Sequence, residues 1–326
     1  MAEEVPAGKG WLYEPKWDGF RCLVFKDGPR VVLQSKSCQP LGRYFPELTA
    51  AFARLGPRRF VLDGEIVIRG AAGLEFDALL QRIHPAESRI QKLARETPAS
   101  LYAFDLLANG KSAWVERPLA ERRAALASFL GKLRHGPEIE LSPATEDRAL
   151  ALRWLEELGG GGLDGVVAKR LATPYEPGQR AMVKVKRLRT ADCVVGGFRW
   201  AQSREQVGSL LLGLYDEAGK LDHVGFAASF TAAERRALEP VLMPLIEPPG
   251  FTGKAPGGPS RWSQGRSTEW QPLRPALVCE VRYDHFSGER FRHGTKFLRW
   301  RPDKAPRQCT FEQVRPAGRS LAELGL

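Results

Sequence analysis

The chain has 326 residues, of which 43% are hydrophobic and 27% are charged, and this composition is typical of a folded globular protein. Its formal net charge is +11, with a surplus of Lys and Arg both before and after residue 189. The length allows two domains with separate cores. A basic surplus of this size favours a polyanionic partner, of which nucleic acid is the commonest.

Other features argue against secreted and membrane proteins. The five cysteines are odd in number and widely spaced, and none stands in a Cys-x-x-Cys pair, so we expect neither a disulfide framework nor a zinc site. The N-terminal residues lack the basic and apolar regions of a signal peptide. Apolar runs fall short of the roughly 20 residues that span a bilayer. We therefore expect a cytoplasmic protein with no membrane association.

Residues 11–190 alternate predicted strands and helices. Residues 60–68 predict two short strands joined by an Asp-Gly turn, and residues 100–107 predict a further strand. Apolar residues recur at helical spacing around Trp154. The glycine run Gly159–Gly162 then predicts the end of that helix, because no Gly-Lys-Ser/Thr follows to make it a phosphate loop.

The pattern changes after residue 189, and we divide the chain there into domains of residues 1–189 and 190–326. Three strands, a helix and two more strands are predicted in the second domain. This is the element order of an OB-fold barrel, a module that often binds nucleic acid. The predicted strands are 193–198, 210–215, 224–230, 276–284 and 296–300, and the predicted helix is 232–245.

The segment Glu14-Pro15-Lys16-Trp17-Asp18-Gly19-Phe20-Arg21 is the most informative part of the chain. The pattern Lys-x-Asp-Gly-x-Arg is typical of enzymes that attach a nucleotide covalently to the lysine. A lysine amine attacks only when neutral, so it needs cationic or apolar surroundings. Lys184 and Lys186 are alternate residues of a predicted strand, so they face one side and would supply those surroundings.

Further segments that carry chemistry follow in order along the chain. Each taken singly is ordinary, because an Asp-Gly pair is common in turns and a Phe-Asp pair is common where a strand ends. Together with Lys16 they point to one nucleotide-binding machinery. These segments are Asp63-Gly64-Glu65, Phe104-Asp105-Leu106-Leu107, Asp164-Gly165-Val166-Val167-Ala168-Lys169, Val183-Lys184-Val185-Lys186 and Arg299-Trp300-Arg301-Pro302-Asp303-Lys304.

In this order the segments resemble the motifs of ATP-dependent DNA ligases, which belong to the covalent nucleotidyltransferase superfamily. The similarity covers nearly the whole chain and is greatest to the small bacterial type called DNA ligase C. The adenylation domains of multifunctional bacterial end-joining ligases are also similar. The resemblance implies an α+β fold, in which a nucleotidyltransferase (adenylation) domain with antiparallel sheets and flanking helices precedes an all-β OB-fold barrel.

The resemblance also implies an activity and its cofactors. Nicks in double-stranded DNA would be sealed in DNA repair, through a lysyl-AMP intermediate and then a DNA-adenylate. ATP and Mg²⁺ (or Mn²⁺) would be required. We expect a monomer in the bacterial cytoplasm that associates with the nucleoid when it is on DNA.

The matched residues take individual roles from the same resemblance. Lys16 would attack ATP, Glu14 would contact the adenine amino group, and Phe104 would stack on the adenine. Arg21 would bind the ribose and later the nick phosphate, and Glu65 would hold the ribose. The predicted catalytic residues are Lys16, Arg21, Lys186 and Asp303; the predicted nucleotide-binding residues are Glu14, Lys16, Arg21, Lys36, Glu65, Phe104, Lys184, Lys186, Arg301 and Lys304; and the predicted metal ligands are Glu65 and Asp164.

Three positions depart from the family pattern. The segment Ser35-Lys36-Ser37-Cys38 has lysine where the family usually has arginine, so the bidentate fork of a guanidinium is lost. Cys38 stands where the family usually has glycine, so backbone freedom is lost as well. Asp164 is one methylene shorter than the glutamate that is commoner at its position.

Other functions remain open from the sequence alone. An RNA ligase, or a polynucleotide ligase that prefers ribonucleotides, shares the Lys-x-Asp-Gly core, as does a GTP-using capping enzyme. A non-catalytic nucleic-acid-binding protein would account for the basic charge and the barrel. It would bind DNA with a strong salt dependence but form no covalent adduct.

Overall fold

The computed structural model describes residues 4–70, 73–157, 163–179, 181–201, 206–257, 269–315 and 320–326. The chain folds into two compact units. The first unit contains residues 1–187 and 316–326, and the second contains residues 188–315. The predicted end of a helix at Gly159–Gly162 lies outside the described residues.

The first unit combines antiparallel sheets with flanking helices. Its strands are β1 (Trp11–Trp17), β2 (Phe20–Asp27), β3 (Arg30–Ser35), β4 (Arg59–Gly70), β5 (Gly73–Leu74), β6 (Ala99–Asn109), β7 (Ser112–Ala113), β8 (Ile139–Leu141), β9 (Leu163–Arg170) and β10 (Met182–Lys186), and its helices are α1 (Pro46–Arg54), α2 (Phe76–Gln81), α3 (Glu87–Glu96), α4 (Leu119–Gly131) and α5 (Arg148–Glu157).

Two sheets organise this unit. The larger sheet has the order β3-β2-β4-β6-β7, with β5 paired to β4 and β8 paired in parallel to β6. The smaller sheet has the order β1-β9-β10 and is antiparallel. Helices α1 and α4 cover the larger sheet, and α5 packs on β1 and β9 of the smaller one. Each sheet therefore buries one apolar face under helices.

Strand β4 corrects the prediction for residues 60–68. The structure has one continuous twelve-residue strand there, with Asp63 and Gly64 in its middle instead of in a turn. A Cβ atom at Gly64 would lie 2.7 Å from the Tyr102 carbonyl oxygen and 2.9 Å from the Leu101 Cγ. This glycine therefore allows close approach of β6 to β4, and it does not reverse the chain.

The C-terminal segment does not follow the predicted division of the chain at residue 189. The segment after residue 315 belongs to the first unit, although the sequence analysis assigned it to the second domain. Leu324 is buried in the same cluster as Val5, Tyr13 and Trp154, and the Trp154 indole nitrogen donates to the Leu324 carbonyl oxygen at 3.3 Å. Burial of a leucine side chain, worth about 2 kcal/mol, stabilises this return.

The described residues of the second unit form a barrel-like sheet and a helix. Its main sheet has the order β13-β12-β11-β15-β18 and is antiparallel. Its elements are β11 (Arg189–Trp200), β12 (Val207–Tyr215), β13 (Leu221–Ala227), α6 (Ala232–Leu242), β14 (Gln271–Pro272), β15 (Val278–Tyr283), β16 (Phe286–Ser287), β17 (Arg290–Phe291) and β18 (Lys296–Trp300).

This topology confirms the predicted OB-fold. The two ends of the sheet meet at a parallel bridge between Ala227, which ends β13, and Thr295, which precedes β18. Helix α6 begins where it was predicted, because Thr231 and Glu234 form a reciprocal capping box. Among the described residues, the helices are all too short or too polar to cross a membrane.

Candidate active site

A cleft between the two sheets of the first unit brings together seven of the predicted site residues. They come from β1, β2, β4, β6 and β10, and from the turn after β3. Val167 and Lys169 of β9 add to the wall. The cleft is lined by Glu14, Pro15, Lys16, Trp17, Arg21, Lys36, Glu65, Phe104, Val167, Lys169, Met182 and Lys184.

Lys16 lies on an edge strand of the smaller sheet and is held by its neighbours. It pairs with Gly165 across β1 and β9, next to an irregularity in the register. Its Nζ donates to Asp164 Oδ2 at 2.5 Å, and Lys186 Nζ lies 3.6 Å from the same oxygen. The Asp164 carboxylate therefore faces two ammonium groups, and a second anion such as a phosphate would compete for them.

Two glycines permit this close arrangement. A Cβ atom at Gly165 would lie 2.0 Å from the Val185 carbonyl oxygen, and its φ of +147° is one that residues with a side chain rarely adopt. A Cβ atom at Gly19 would lie 2.3 Å from the Ile66 carbonyl oxygen. These two Asp-Gly pairs of the sequence therefore serve close strand packing beside Lys16.

Arg21 is fixed by two residues that the sequence analysis did not assign to the site. Its guanidinium donates to both carboxylate oxygens of Asp63, at 3.1 and 2.6 Å, and Asp63 is fully buried. The Tyr175 hydroxyl donates to Asp63 at 2.9 Å and lies 3.2 Å from Arg21 Nη2. Burial alone would lower the pKa of Arg21, but the hydrogen bonds to Asp63 raise it above its ordinary value.

Glu14, Lys169 and Phe104 form the other side of the cleft. Glu14 is buried, and its Oε2 pairs with Lys169 Nζ at 2.5 Å. The same ammonium lies 4.5 Å from the centroid of the Phe104 ring, within range of a cation–π contact. Glu14 Oε1 is buried with no hydrogen-bond partner among the described residues. An orphaned acceptor beside an aromatic ring suits a planar ligand that carries an amino group.

The electrostatics of the cleft fit an anionic ligand. Burial raises the pKa of Glu65 to about 8, although the charges of Lys16 and Arg21 act in the opposite direction. Burial lowers the pKa of Lys184, and the positive charges of its neighbours Lys16, Arg21 and Lys36 lower that pKa further. A phosphate group bound here would relieve the mutual repulsion of these cations.

The two predicted metal ligands suit a hard cation by chemistry. Asp164 and Glu65 offer carboxylate oxygens, the donors that Mg²⁺ and Mn²⁺ prefer. Within the described part of the chain, Glu65 forms no ion pair at 4 Å or less. A bound cation would favour the charged form of its carboxyl group, which burial disfavours. The residues therefore fit a divalent metal.

Arg301, Asp303 and Lys304 belong to the second unit and form a cluster there. Arg301 donates from Nε and Nη2 to Asp303, and from Nη1 to Asp192 at 3.0 Å. Lys304 Nζ donates to Asp192 at 2.7 Å. Hydrogen bonding to Arg301 lowers the pKa of Asp303 to about 2. The segment Arg301-Pro302-Asp303-Lys304 thus builds an ionic cluster around a buried aspartate of β11.

The sequence indicated that these residues belong to one nucleotide-binding site, but it did not indicate several of the residues that hold them in place. Asp63 stood inside a motif and was assigned to a turn, and Lys169 ended a motif without a role. Tyr175 and Asp192 carry no motif of their own. The sequence marked Asp192 only as a single charged residue directly before an apolar predicted strand.

Comparison with known proteins gives the family. The family model described as "ATP dependent DNA ligase domain" matches residues 3–186, and "ATP dependent DNA ligase C terminal region" matches residues 203–304. The chain is 49% identical over 330 residues to DNA ligase C of Mycobacterium tuberculosis, covering 96% of this chain and 92% of that protein. It is 50% identical over 321 residues to DNA ligase C1 of Mycolicibacterium smegmatis, covering 95% and 90%.

Solved structures support the fold. A structure from a study of Lig E DNA ligases superimposes with a TM-score of 0.51 at 17% identity, covering 90% of this chain and 93% of that one. At this identity the likeness concerns the fold alone. It agrees with the α+β unit and the barrel described above.

Proposed function

The chain belongs to the family of ATP-dependent DNA ligases, and we propose that it seals nicked DNA by way of AMP carried on Lys16. One observation carries the proposal. The cleft surrounds the Lys16 amine with further cations, an aromatic ring and an unpaired buried acceptor, which are the groups that phosphates and an adenine require.

In the first step the Lys16 Nζ attacks the α-phosphorus of ATP. A phosphorus–nitrogen bond forms, the bond to the pyrophosphate breaks and pyrophosphate leaves, and the neutral amine gives up one proton to solvent. Lys184 and Lys186 stabilise the charge on the α-phosphate, a stabilisation that is stronger in a cleft than in water. Lys36 adds a further cation at the rim.

Glu14 and Phe104 select the base. Glu14 Oε1 accepts a hydrogen bond from the adenine amino group, and Phe104 stacks on the ring. Guanine would present a carbonyl oxygen at the same place, so its acceptor would face another acceptor and the GTP adduct would be disfavoured. Lys169 holds Glu14 in place through its ion pair.

In the second and third steps the same cleft serves DNA. The 5′-phosphate of the nick attacks the AMP on Lys16, and the 3′-hydroxyl then attacks the DNA-adenylate and releases AMP. Arg21, held by Asp63 and Tyr175, binds the ribose and then the nick phosphate, for which its planar fork is suited. Glu65 binds the ribose.

A divalent metal ion, Mg²⁺ or Mn²⁺, would be held by Glu65 and Asp164 and would neutralise phosphate charge. The resemblance to the family further supports pyrophosphate binding by Arg301 and Lys304, with Asp303 as the partner of Arg301. We expect the enzyme to act as a monomer in the bacterial cytoplasm, where it would associate with the nucleoid when bound to DNA.

Labelled ATP tests the central assignment. With Mg²⁺ the wild-type protein should form a covalent protein–AMP adduct, and Lys16→Ala should form none. Lys132→Ala, which changes an exposed lysine of the same unit, is the matched control and should label normally. Persistence of the adduct in Lys16→Ala would show that another residue is the nucleophile.

A sealing assay tests the substrate. Nicked DNA, the same nick with a 3′-ribonucleotide, and RNA in a hybrid would be compared at equal enzyme. We expect the DNA nick to be sealed. Exclusive sealing of RNA would favour the alternative of an RNA ligase, and DNA binding without any adduct would favour a non-catalytic protein.

A further inference from the structure

Asp192 of β11 carries a carboxylate that neither the motifs nor the sequence comparison assigns. Asp192 is only 8% exposed, and the neighbouring positions of its strand carry buried apolar side chains. A buried carboxylate costs free energy unless it is paired. Asp192 pairs with two cations, and both stand in the segment Arg301-Pro302-Asp303-Lys304.

Both cations contact the Asp192 carboxylate, and Arg301 Nη1 reaches its two oxygens, with Oδ2 at 3.2 Å. Arg301 Nη1 lies 3.0 Å from Oδ1, and Lys304 Nζ lies 2.7 Å from Oδ2. The other edge of the Arg301 guanidinium binds Asp303, where Nη2 donates to Oδ2 at 2.8 Å. The carboxylate of Asp192 therefore sets the spacing between a guanidinium and an ammonium that are three residues apart.

Asp192 is itself held at its backbone. The side-chain amide of Gln313 accepts a hydrogen bond from the Asp192 N–H at 2.9 Å and donates to the Asp192 carbonyl oxygen at 3.1 Å. This double contact restrains the strand at the residue that carries the carboxylate. Asp192 is thus a restrained support, whereas Asp303, with a side chain 63% exposed, is open to solvent.

We propose that Asp192 is a positioning residue that fixes Arg301 and Lys304 in the arrangement needed for the attack on ATP. This inference rests on the proposed function, in which those two cations bind the pyrophosphate. Asp192 does not touch the substrate. It acts by presenting both cations at one spacing, so that their charge is in place before ATP binds.

The proposal predicts a defect in one step of the reaction. Attack on ATP releases pyrophosphate, whereas sealing of a pre-adenylylated nick does not. A buried ion pair that only stabilised the fold would affect both steps alike. Asp192→Asn keeps the shape of the side chain but is neutral and offers one acceptor oxygen in place of two, so the contacts of Arg301 and Lys304 with this side chain can no longer all be kept.

The experiment compares Asp192→Asn with Asp222→Asn. Asp222 is also buried in the second unit, at 7% exposure, but it accepts from the Lys254 backbone N–H at 2.6 Å and contacts neither Arg301 nor Lys304 in the hydrogen bonds described. The rate of adduct formation with ATP and the rate of sealing of a pre-adenylylated nick would be measured for both. Denaturant unfolding would measure stability.

Adduct formation by Asp192→Asn should fall by about 10- to 100-fold, since a misplacement of about 1 Å can cost that much. Sealing of the pre-adenylylated nick should stay within about twofold of wild type. Asp222→Asn should show no such split. Should Asp192→Asn fail to fold, Asp192→Glu, which keeps the charge but moves it by one methylene, should show the same split.

Equal losses in the two assays, or no loss, would overturn the proposal. Arg301→Ala separates this failure from a failure of the proposed function. If Arg301→Ala loses adduct formation selectively while Asp192→Asn does not, the cations act on ATP but Asp192 does not position them. If Arg301→Ala shows no selective loss, the pyrophosphate role itself is wrong.

Discussion

The Lys16 Nζ lies 2.5 Å from Asp164 Oδ2, so the proposed nucleophile is held in an ion pair before ATP binds. An ammonium nitrogen has no lone pair with which to attack, so this ion pair must be given up before the amine reacts. Lys186 lies 3.6 Å from the same oxygen and offers that carboxylate a second partner. A divalent metal held by Asp164 would compete with these ammonium groups for the carboxylate.

Asp164→Asn should therefore slow adduct formation, because the amide is a poorer metal ligand than the carboxylate. We expect a loss of about 10- to 100-fold and a higher Mg²⁺ concentration for half-maximal rate. Titration of Mg²⁺ in the labelled-ATP assay measures both quantities. Asp147→Asn, an exposed aspartate of the same unit, is the control. An unchanged Mg²⁺ requirement in Asp164→Asn would remove Asp164 from the metal site.

Lys169→Met should destabilise the first unit, because it leaves the carboxylate of Glu14 buried without its partner. Their side chains are only 11% and 4% exposed. We expect a loss of about 3 kcal/mol in the free energy of unfolding. The double variant Glu14→Gln/Lys169→Met should lose less than Lys169→Met alone, because no uncompensated charge remains. Additive losses in this cycle, measured by denaturant unfolding, would show that the pair is not coupled.

Much of the fold could be predicted because its patterns are local. The segments 100–107 and 210–215 are rich in apolar and aromatic residues, and both lie in strands of the structure. Helix α6 starts at a capping box that is written in four consecutive residues. The site residues around Lys16 could also be predicted from the sequence, because the chemistry requires them at a fixed spacing within one segment.

The residues that support the site could not be predicted in this way. Tyr175 meets Arg21 across 154 positions of the chain, and Lys304 meets Asp192 across 112. Such pairs depend on which strands become neighbours, and no local spacing records that. Gly64 was assigned to a turn because an Asp-Gly pair is typical of turns, whereas its real role, close contact of β4 with β6, depends on the tertiary fold.

Cys38→Gly should stabilise the protein. Cys38 has a φ of +60°, in the left-handed region that a side chain disfavours by about 1–2 kcal/mol. Glycine removes that cost but has more entropy to lose on folding, so we expect a net gain of about 0.5–1 kcal/mol. Denaturant unfolding would show a higher midpoint at an unchanged slope. Cys38→Ala keeps the Cβ atom and should bring no gain; equal gains in both variants would show that the thiol and not the backbone is responsible.

His223 should make the stability of the second unit depend on pH. Burial lowers the pKa of His223 to about 3, and the charges of Arg290 and Arg199 contribute to the lowering. In the unfolded chain His223 binds a proton at a pH of about 6.5, whereas in the folded chain it does so only near a pH of about 3. The contribution of His223 to stability is therefore full above a pH of about 6.5 and is lost as the pH falls towards about 3.

Between a pH of about 7.5 and one of about 5.5 the loss from this one group should be about 1 kcal/mol. His223→Phe keeps a ring against Phe251, whose centroid lies 5.3 Å from that of His223, and removes the titration. Unfolding of both proteins at the two pH values isolates the group, because all other titrations are shared. We expect a wild-type loss that exceeds the variant's by about 1 kcal/mol. Parallel losses in the two proteins would show that His223 does not control the pH dependence.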